Sequence, residues 1–166
     1  RINSAAAKSY DDLLDAHIKD HQSLFNRVML DVGHTEPKLL KEPTNVRLDR
    51  YRNGSDDPDL EMLLFQYGRY LIIASSRPGC LPANLQGLWS EPMWAPWEAD
   101  YHLNINIQMN YWPAEVTHLP ECHEPLFDAL AEVATSGRRT ARAHYDARGW
   151  VLHHNFDLWR GTAPIN

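Results

Sequence analysis

Residues 101–115, YHLNINIQMNYWPAE, alternate polar and apolar side chains over ten positions. The polar set holds neutral amides and one imidazole, with no formal charge. Amides are depleted in ordinary strands, whose solvent face usually carries Thr, Lys, Glu or Ser. If the alternation reflects an extended backbone, Asn104 and Asn106 project from the same face. Each would then offer one acceptor group and one donor group beside the other.

Two neutral amides on one face can hold a small polar object, such as a water molecule or a carboxylate, without adding charge. The alternative interpretation is an amide ladder that satisfies buried backbone groups and takes no part in chemistry. The pattern by itself leaves both interpretations open. We therefore treat Asn104 and Asn106 as candidate site residues.

Tryptophans are concentrated beside this stretch, with four of the six falling within 24 residues. Three of them lie in the segment 77–100, which holds four prolines and two glycines and is therefore predicted to be a long loop. Aromatic faces beside neutral amides are typical of a concave site for an uncharged, hydroxylated ligand. Trp89, Trp94 and Trp97 are candidates for its walls, and an indole-rich core is the alternative.

A second polar cluster lies at 153–159, in the sequence HHNFDLW. His153, His154 and Asp157 are residue types that bind metals, but adjacent histidines in a strand point to opposite faces and do not readily chelate one ion. We therefore expect no metal site, and instead the binding of sugar hydroxyls or a structural polar network. Asp157, the one acid of this run, is also a candidate catalytic carboxylate.

Composition and charge argue against several classes of partner. The 166 residues carry 16 basic and 22 acidic side chains, a formal net charge of −6, which is unfavourable for binding nucleic acid or an anionic membrane surface. No apolar run approaches the roughly 18–20 residues of a membrane span. Cys80 and Cys122 lack CxxC spacing, so zinc is not expected, and a disulfide and two separate thiols are both open.

The N-terminal part of the chain predicts helices. Apolar side chains at helical spacing predict an amphipathic helix over 9–31, with Ser9 as its N-cap and Gly33 just beyond its end. A short helix is predicted at 44–52. Another is predicted at 59–75, where apolar positions wrap nearly all round, as in a helix that packs on several neighbours.

The C-terminal part predicts two further helices over 123–149, separated at Gly137, with non-helical chain after them. The expected class is therefore all-α with little strand. The helix at 59–75 needs more neighbours than these residues supply, and the sequence begins with Arg1 rather than Met. We interpret the chain as a piece of a larger all-α protein.

Three segments resemble the catalytic domain of glycoside hydrolase family 95, the inverting α-L-fucosidases: YGRYLIIASSRPGCLPANLQGLW, NINIQMNYWPAEVTHLPECHEPLFD and RGWVLHHNFDLWRGTAPIN. The resemblance extends from about Asp57 to Asn166. Before that it is looser, with only helical character and RLDRYR fitting. It implies that residues 1–166 are the N-terminal portion of an (α/α)6 barrel, whose remainder lies beyond the chain and packs against it.

The resemblance also implies hydrolysis of terminal α-(1→2)-linked L-fucose from oligosaccharides, with inversion at the anomeric carbon. The family's general acid is a glutamate and its base an aspartate, both from later segments, so the chain alone is expected to be inactive. The asparagine pair that orients the attacking water and supports the base corresponds to Asn104 and Asn106. His102, His153 and His154 then fall at the mouth of the barrel.

The substrate-binding candidates are therefore histidines, tryptophans and one aspartate: His102, Trp89, Trp94, Trp97, His153, His154 and Asp157. No metal or other cofactor is implied, and an extracellular or periplasmic location is favoured by the resemblance. Two alternatives remain open, a related α-L-galactosidase and a non-catalytic carbohydrate-binding helical module.

Overall fold

The computed structural model describes residues 2–165 and is mostly helical, which confirms the all-α class. Its α-helices are α1 (Ile2–Ala6), α2 (Tyr10–Phe25), α3 (Thr44–Arg52), α4 (Pro58–Ser75), α5 (Asn106–Tyr111), α6 (Pro113–Val116) and α7 (Glu124–Tyr145). Two short strands pair antiparallel, β1 (Tyr101–His102) and β2 (Asn155–Phe156). Turns of 3₁₀ helix lie at Leu39–Lys41, Pro96–Ala99 and Pro120–Cys122. Within the described range, no helix has the length and apolar character needed to cross a membrane.

The described residues form two compact units, with the boundary between Tyr70 and Leu71, inside α4. The predicted helices at 44–52 and 59–75 are confirmed by α3 and α4. From residue 77 to Ala95 the chain has no helix, and the 3₁₀ turn at Pro96–Ala99 follows.

The ends of α2 are set by side chains that satisfy its terminal backbone groups. Ser9 is the N-cap, as predicted, and its Oγ accepts a hydrogen bond from the Asp12 amide at 3.1 Å. At the other end, the buried guanidinium of Arg69 donates to the carbonyl oxygens of Leu24 at 2.9 Å and Phe25 at 2.6 Å. A cation at the last carbonyls stabilises a helix end there. The predicted extension to residue 31 is therefore wrong.

A buried ion pair joins α3 to the start of α4. Arg47 donates two hydrogen bonds to the Asp57 carboxylate, from Nε at 2.9 Å and from Nη2 at 2.7 Å. The same carboxylate accepts hydrogen bonds from Thr35 Oγ1 at 2.6 Å and from the Leu60 amide at 3.1 Å, and the latter caps the first turn of α4. These hydrogen bonds, that of Arg47 above all, lower the pKa of Asp57 from 3.8 to about 2.

One face of α4 is exposed. Leu60 is buried, whereas Leu63, Leu64 and Tyr67 are exposed to 46%, 71% and 54%. Apolar side chains are thus found on more than one side of the helix, as the sequence predicted. A contiguous apolar stripe of this kind is typical of a surface that another element covers.

Two buried hydroxyl groups organise the second unit. Ser76 Oγ donates to the carbonyl oxygen of Cys122 at 2.7 Å, which leaves the Tyr111 hydroxyl to donate to Ser76 at 2.8 Å. The Tyr111 oxygen also accepts a hydrogen bond from the Ala83 amide at 2.7 Å. These bonds hold the start of the proline-rich segment against α5 and the turn before α7. Cys122 is buried and Cys80 is exposed, and the two sulfur atoms are not bonded to each other.

The alternating stretch is not a long strand. After β1 the chain turns and enters α5, in which Ile107 and Tyr111, four residues apart, are buried. Ile105 and Met109 belong to the same alternating set but are 43% and 50% exposed. Burial therefore follows the helical period from residue 106 onward. The extended backbone from which we expected Asn104 and Asn106 to share a direction is therefore absent at these residues, and their common orientation stays a prediction.

Helix α7 continues through Gly137, so the prediction of two helices separated at this residue is wrong. Gly137 is buried, and a Cβ there would lie 2.7 Å from the carbonyl oxygen of Val151 and 3.2 Å from Trp150 Cβ. The Val151 amide donates to the Gly137 carbonyl at 3.2 Å. The missing side chain allows the returning backbone to pack directly on the helix, and this contact offsets the low helix propensity of glycine.

We expect the Arg47–Asp57 ion pair to contribute to the unfolding free energy and this contribution to disappear at acid pH. Because the pKa of Asp57 is about 2 in the folded chain and 3.8 in the unfolded reference, the contribution is complete above about pH 4 and is lost as the pH falls toward 2. In the complete protein, Asp57→Asn should lower the local unfolding free energy of residues 44–60 by roughly 3 kcal/mol at pH 7, because it leaves the buried Arg47 uncompensated. Hydrogen exchange with mass spectrometry measures this quantity.

The control for that experiment is Asp49→Asn, which removes an exposed ion pair to Arg52 at 3.2 Å. Its cost should stay below about 1 kcal/mol. Equal losses of protection in the two variants, or an Asp57→Asn variant with the same acid sensitivity as the parent, would contradict the assignment.

Candidate functional site

The pairing of β1 with β2 brings the two polar motifs together. His102 is opposite Asn155, and Tyr101 is opposite Phe156. The rings of Tyr101 and Phe156 stack with centroids 4.6 Å apart, and both residues are buried. The polar motifs around residues 102 and 155 are separate in the sequence, and the strand pairing makes them neighbours within the second unit.

Asp100 connects these two strands through its carboxylate, whose side chain is 11% exposed. His102 Nδ1 lies 3.1 Å and 3.2 Å from the two carboxylate oxygens, and Asn155 Nδ2 donates to one of them. A carboxylate only accepts hydrogen bonds, so His102 Nδ1 carries the proton. Asp100 is not among the site residues predicted from the sequence, although its i, i+2 spacing from His102 is a signal that points to it.

The His102 ring is also packed by aromatic neighbours. The ring of His154 lies edge-on at 4.2 Å between centroids, and that of Trp97 lies edge-on at 5.8 Å. The side chain of His102 is 12% exposed, and its Nε2 has no hydrogen-bond partner within residues 2–165. Two residues predicted to bind substrate, His154 and Trp97, thus each contact a third, His102.

A cleft of about 450 Å³ opens beside this cluster and is lined by Asn84, residues 98–101 and residues 155–159. This volume falls within the range of small-molecule sites. Trp159 at its edge is 84% exposed. The lining combines the amides of Asn84 and Asn155 with three carboxylates and aromatic surface, a composition suited to a ligand rich in hydroxyl groups.

The wall of the cleft is built on an unusual backbone. Trp97, Glu98 and Ala99 have φ values of 55°, 60° and 53°, in the left-handed region that costs an L-residue roughly 1 kcal/mol each. Such conformations persist where surrounding contacts hold them, and they concentrate at functional sites. Here the Gln86 side chain donates to the Pro96 carbonyl at 2.9 Å, which anchors the start of this segment.

The candidate tryptophans are exposed rather than packed in a core. Trp89, Trp94 and Trp97 are 48%, 87% and 74% exposed. Trp89 folds over Gly87, where a Cβ would lie 2.7 Å from the indole. For these three side chains, the alternative of an indole-rich core is therefore not supported in the described residues. Trp97 alone of the three contacts a candidate histidine in the ring contacts among residues 2–165.

His153 is held by two hydrogen bonds within its own unit. Its Nδ1 donates to the Thr162 carbonyl at 2.6 Å, so Nε2 of the neutral ring accepts from the Tyr145 hydroxyl at 2.6 Å. Thr162 is further bonded to Thr140 of α7 at 2.6 Å. In this arrangement both ring nitrogens of His153 are engaged in joining the last turns of α7 to the C-terminal segment.

Asp157 organises the loop that follows β2. Its Oδ1 accepts hydrogen bonds from the amides of Trp159 at 2.9 Å and Gly161 at 3.0 Å. The residue is exposed and lines the cleft. Its carboxylate therefore shapes the loop that carries Trp159 and also faces the cleft.

Asn104 and Asn106 lie in the turn between β1 and α5. Both are exposed, and neither side chain makes a hydrogen bond within residues 2–165. Asn104 has a φ of 79°, a left-handed conformation that asparagine tolerates better than most residues. Asn106 is the first residue of α5. Their Cα atoms are at most about 7.6 Å apart, because only one residue separates them.

The charged and sulfur-bearing side chains do not form a metal centre in the described range. Among residues 2–165, no group of three or more His, Cys, Asp or Glu side chains is arranged to hold an ion. The His102–Asp100 contact is a histidine–carboxylate pair, and the neighbouring ring of His154 adds one more nitrogen-bearing group.

Comparison with known proteins identifies relatives along nearly the whole chain. An alpha-L-fucosidase 2 of Arabidopsis thaliana is 46% identical over 166 residues, covering 99% of this chain and 20% of that protein. A probable alpha-fucosidase A of Aspergillus niger is 44% identical over 162 residues, covering 96% of this chain and 20% of that protein. A probable alpha-fucosidase A of Aspergillus oryzae is 39% identical over 165 residues, covering 98% of this chain and 23% of that protein.

The chain thus spans about one fifth of the length of the curated relatives it matches. The model of the glycosyl hydrolase family 95 catalytic domain matches residues 9–166, a range that includes both strands and every side chain of the cluster around His102. Because this match covers far more than half of the sequence, the chain belongs to the family of the glycosyl hydrolase family 95 catalytic domain.

Proposed function

We propose that this chain supplies part of the active site of an inverting α-L-fucosidase that hydrolyses terminal α-(1→2)-linked L-fucose. The observation that carries the proposal is the meeting of residues 98–101 and 155–159 at one cleft, beside the ring contacts of His102 with Trp97 and His154. The fucosidase names of the relatives support the choice of sugar. A fucosyl group is uncharged and bears several hydroxyls, so amides, imidazoles and indoles are suitable side chains to bind it.

In this proposal, Asn104 and Asn106 orient the attacking water and support the base. Their exposed amides make no other hydrogen bond among the described residues and lie two to four positions after His102. A neutral amide can hold a water and a carboxylate together without the repulsion that a second carboxylate would add. In an inverting enzyme this water lies between the base and the sugar, with the two catalytic carboxyl groups about 6.5–9.5 Å apart.

We further propose that the general acid and base come from residues outside this chain. Two of the three carboxylates that line the cleft already accept hydrogen bonds from neighbouring residues, which supports this assignment. Asp100 accepts hydrogen bonds from His102 and Asn155, and Asp157 accepts two from its own loop. A general acid or base must instead reach the scissile bond or the attacking water.

The described helices would then be the N-terminal part of an (α/α)6 barrel. The exposed apolar face of α4 supports this proposal, because Leu63, Leu64 and Tyr67 form a surface that further helices of one domain can cover. Chain beyond these 166 residues supplies those helices in this proposal, and with them the acid and base.

The function is tested by incubating the complete protein that carries this chain with 2′-fucosyllactose. Release of L-fucose is followed enzymatically, and the anomer formed first is identified by proton NMR within the first minutes. Appearance of the β-anomer from the α-linked substrate, unaffected by EDTA, is the expected outcome. Absence of fucose release would overturn the proposed substrate, and initial formation of the α-anomer would overturn inversion.

For the proposed water-positioning role, Asn106→Gly in the complete protein should lower kcat for 2′-fucosyllactose by roughly 10²-fold, the scale of a lost acid–base contribution. KM should change much less, because the water binds on the face of the sugar away from the leaving group. Steady-state kinetics separates the two parameters.

The matched control is Gln108→Ala. Residues 106 and 108 lie about 200° apart around α5, so Gln108 points away from the direction of Asn106. Its replacement should leave kcat nearly unchanged. A silent Asn106 variant, or a Gln108 variant with an equal loss, would show that the amide has a structural role instead.

For the tryptophans, Trp97→Ala should raise KM for 2′-fucosyllactose roughly three- to tenfold, a loss of about 0.5–1.5 kcal/mol of aromatic contact. KM for an aryl α-L-fucoside should rise less if the indole supports the leaving-group sugar. Trp150→Ala is the control, because Trp150 packs against Gly137 of α7 and should affect stability without changing KM. If variants of Trp89, Trp94 and Trp97 all left both substrates unaffected, these indoles would have no part in binding.

A further inference from the structure

Asp100 lies where the two polar motifs meet. Its backbone carbonyl accepts a hydrogen bond from the Leu85 amide at 3.2 Å, and its own amide donates to the Trp97 carbonyl at 3.3 Å. Its carboxylate accepts from His102 on β1 and from Asn155 on β2. Both its main chain and its side chain are therefore held in place, by partners up to 55 residues away.

The hydrogen bond to Asp100 determines which nitrogen of His102 can serve a ligand. Because the carboxylate can only accept, Nδ1 bears the proton and Nε2 of the neutral imidazole is an acceptor. The contacts with Trp97 and His154 restrict the ring further. Nε2 has no partner within residues 2–165, so it is the ring atom that remains for a ligand.

An imidazole acceptor selects for a particular chemistry. In the neutral ring, the unprotonated Nε2 can accept a hydrogen bond from a sugar hydroxyl but cannot donate one to a carbonyl or carboxylate. The opposite tautomer, with the proton on Nε2, would lose this acceptor and could not donate to Asp100 from Nδ1. The carboxylate at residue 100 therefore links the β1–β2 pairing to the hydrogen-bonding character of the proposed site.

We propose that Asp100 is a positioning residue, which holds His102 in the Nδ1-protonated tautomer and in the orientation that presents Nε2 to a hydroxyl of the substrate. This inference takes the identity of the substrate from the proposed function. Asp100 acts through His102 and does not itself contact the sugar. Replacing the carboxylate should consequently weaken binding only as long as His102 is present.

The test is a double-mutant cycle with Asp100→Asn, His102→Ala and the combined variant in the complete protein, assayed on 2′-fucosyllactose. An asparagine has one carbonyl oxygen for two donors, so His102 and Asn155 compete for it. Asp100→Asn should raise KM about tenfold with kcat changed less than threefold, and it should add less than twofold when His102 is already alanine. Asp128→Asn, an exposed carboxylate on α7, is the charge-matched control and should leave KM unchanged.

Equal increases in KM in the presence and absence of His102, or an unchanged KM in Asp100→Asn, would overturn the inference. If Asp100→Asn does not fold, the cycle is run with Asp100→Glu, which keeps the charge but displaces its oxygens by one methylene. Its effect on KM must likewise disappear in the His102→Ala background, and an effect that persists there overturns the inference.

A crystal structure of the residue-100 variant separates this inference from the proposed function. If the parent protein releases no L-fucose, the proposed function fails, and the orientation of the His102 ring still tests the role of Asp100. The expected result is a ring turned away from its parent position or divided between two orientations. A ring unchanged in place, with Nδ1 still bonded to residue 100, would overturn the positioning role.

Discussion

The pairing of β1 with β2 is the contact on which the arrangement of the cleft depends. It involves two residues on each strand, yet it joins segments that are far apart in sequence. Two paired residues supply little stability alone, because isolated two-stranded ladders are marginal in water. Here the stacked, buried rings of Tyr101 and Phe156 cover one side of the pair, and the Asp100 carboxylate bonds both strands. Apolar burial and a charged hydrogen bond together hold the motifs in place.

The return of the chain to this pairing depends on Gly137. Helix α7 carries the chain away after α5 and α6, and the backbone at Trp150 and Val151 then packs directly on the helix at the position of the glycine. A larger residue at position 137 would displace Val151, because the Cβ of the new residue would lie 2.7 Å from the Val151 carbonyl oxygen. The hydrogen bonds of His153 to Tyr145 and Thr162 hold the next part of the segment. β2 begins two residues after His153 and pairs with β1, so the packing at Gly137 helps to place the strand that lies opposite His102.

The electrostatics of the cluster around His102 are those of a site for an uncharged ligand. The one nearly buried carboxylate, within the described residues of this cluster, has its oxygens occupied by imidazole and amide donors. The amides and imidazoles near it can bind hydroxyls without a large desolvation cost for charge, and the exposed carboxylates of Glu98 and Asp157 line the cleft beside them. The left-handed backbone from Trp97 to Ala99 places indole surface beside them.

Much of this site was recognisable in the sequence because the residue types that it needs are unusual in strands and loops. Of the marked residues, His102, His154 and Trp97 come into ring contact beside Asp100, and the residues that follow the adjacent histidines line the cleft. The helices at 44–52 and 59–75 were predictable for a similar reason. Their apolar spacing and breaking residues act within a few turns of chain, as does the cap at Ser9.

Only the tertiary structure decided where the helices and strands end and which distant groups their side chains contact. Alternation at 101–110 becomes strand for only two residues, because β2 offers only two partners, and the next buried positions follow a helix. Helix α2 ends at Phe25 because Arg69, 44 residues later, bonds its last carbonyl. Gly137 serves close packing rather than a break, and Asp100 gains its role from partners on two strands. A periodic pattern records neighbours along the chain, whereas these outcomes come from contacts between residues that only folding brings together.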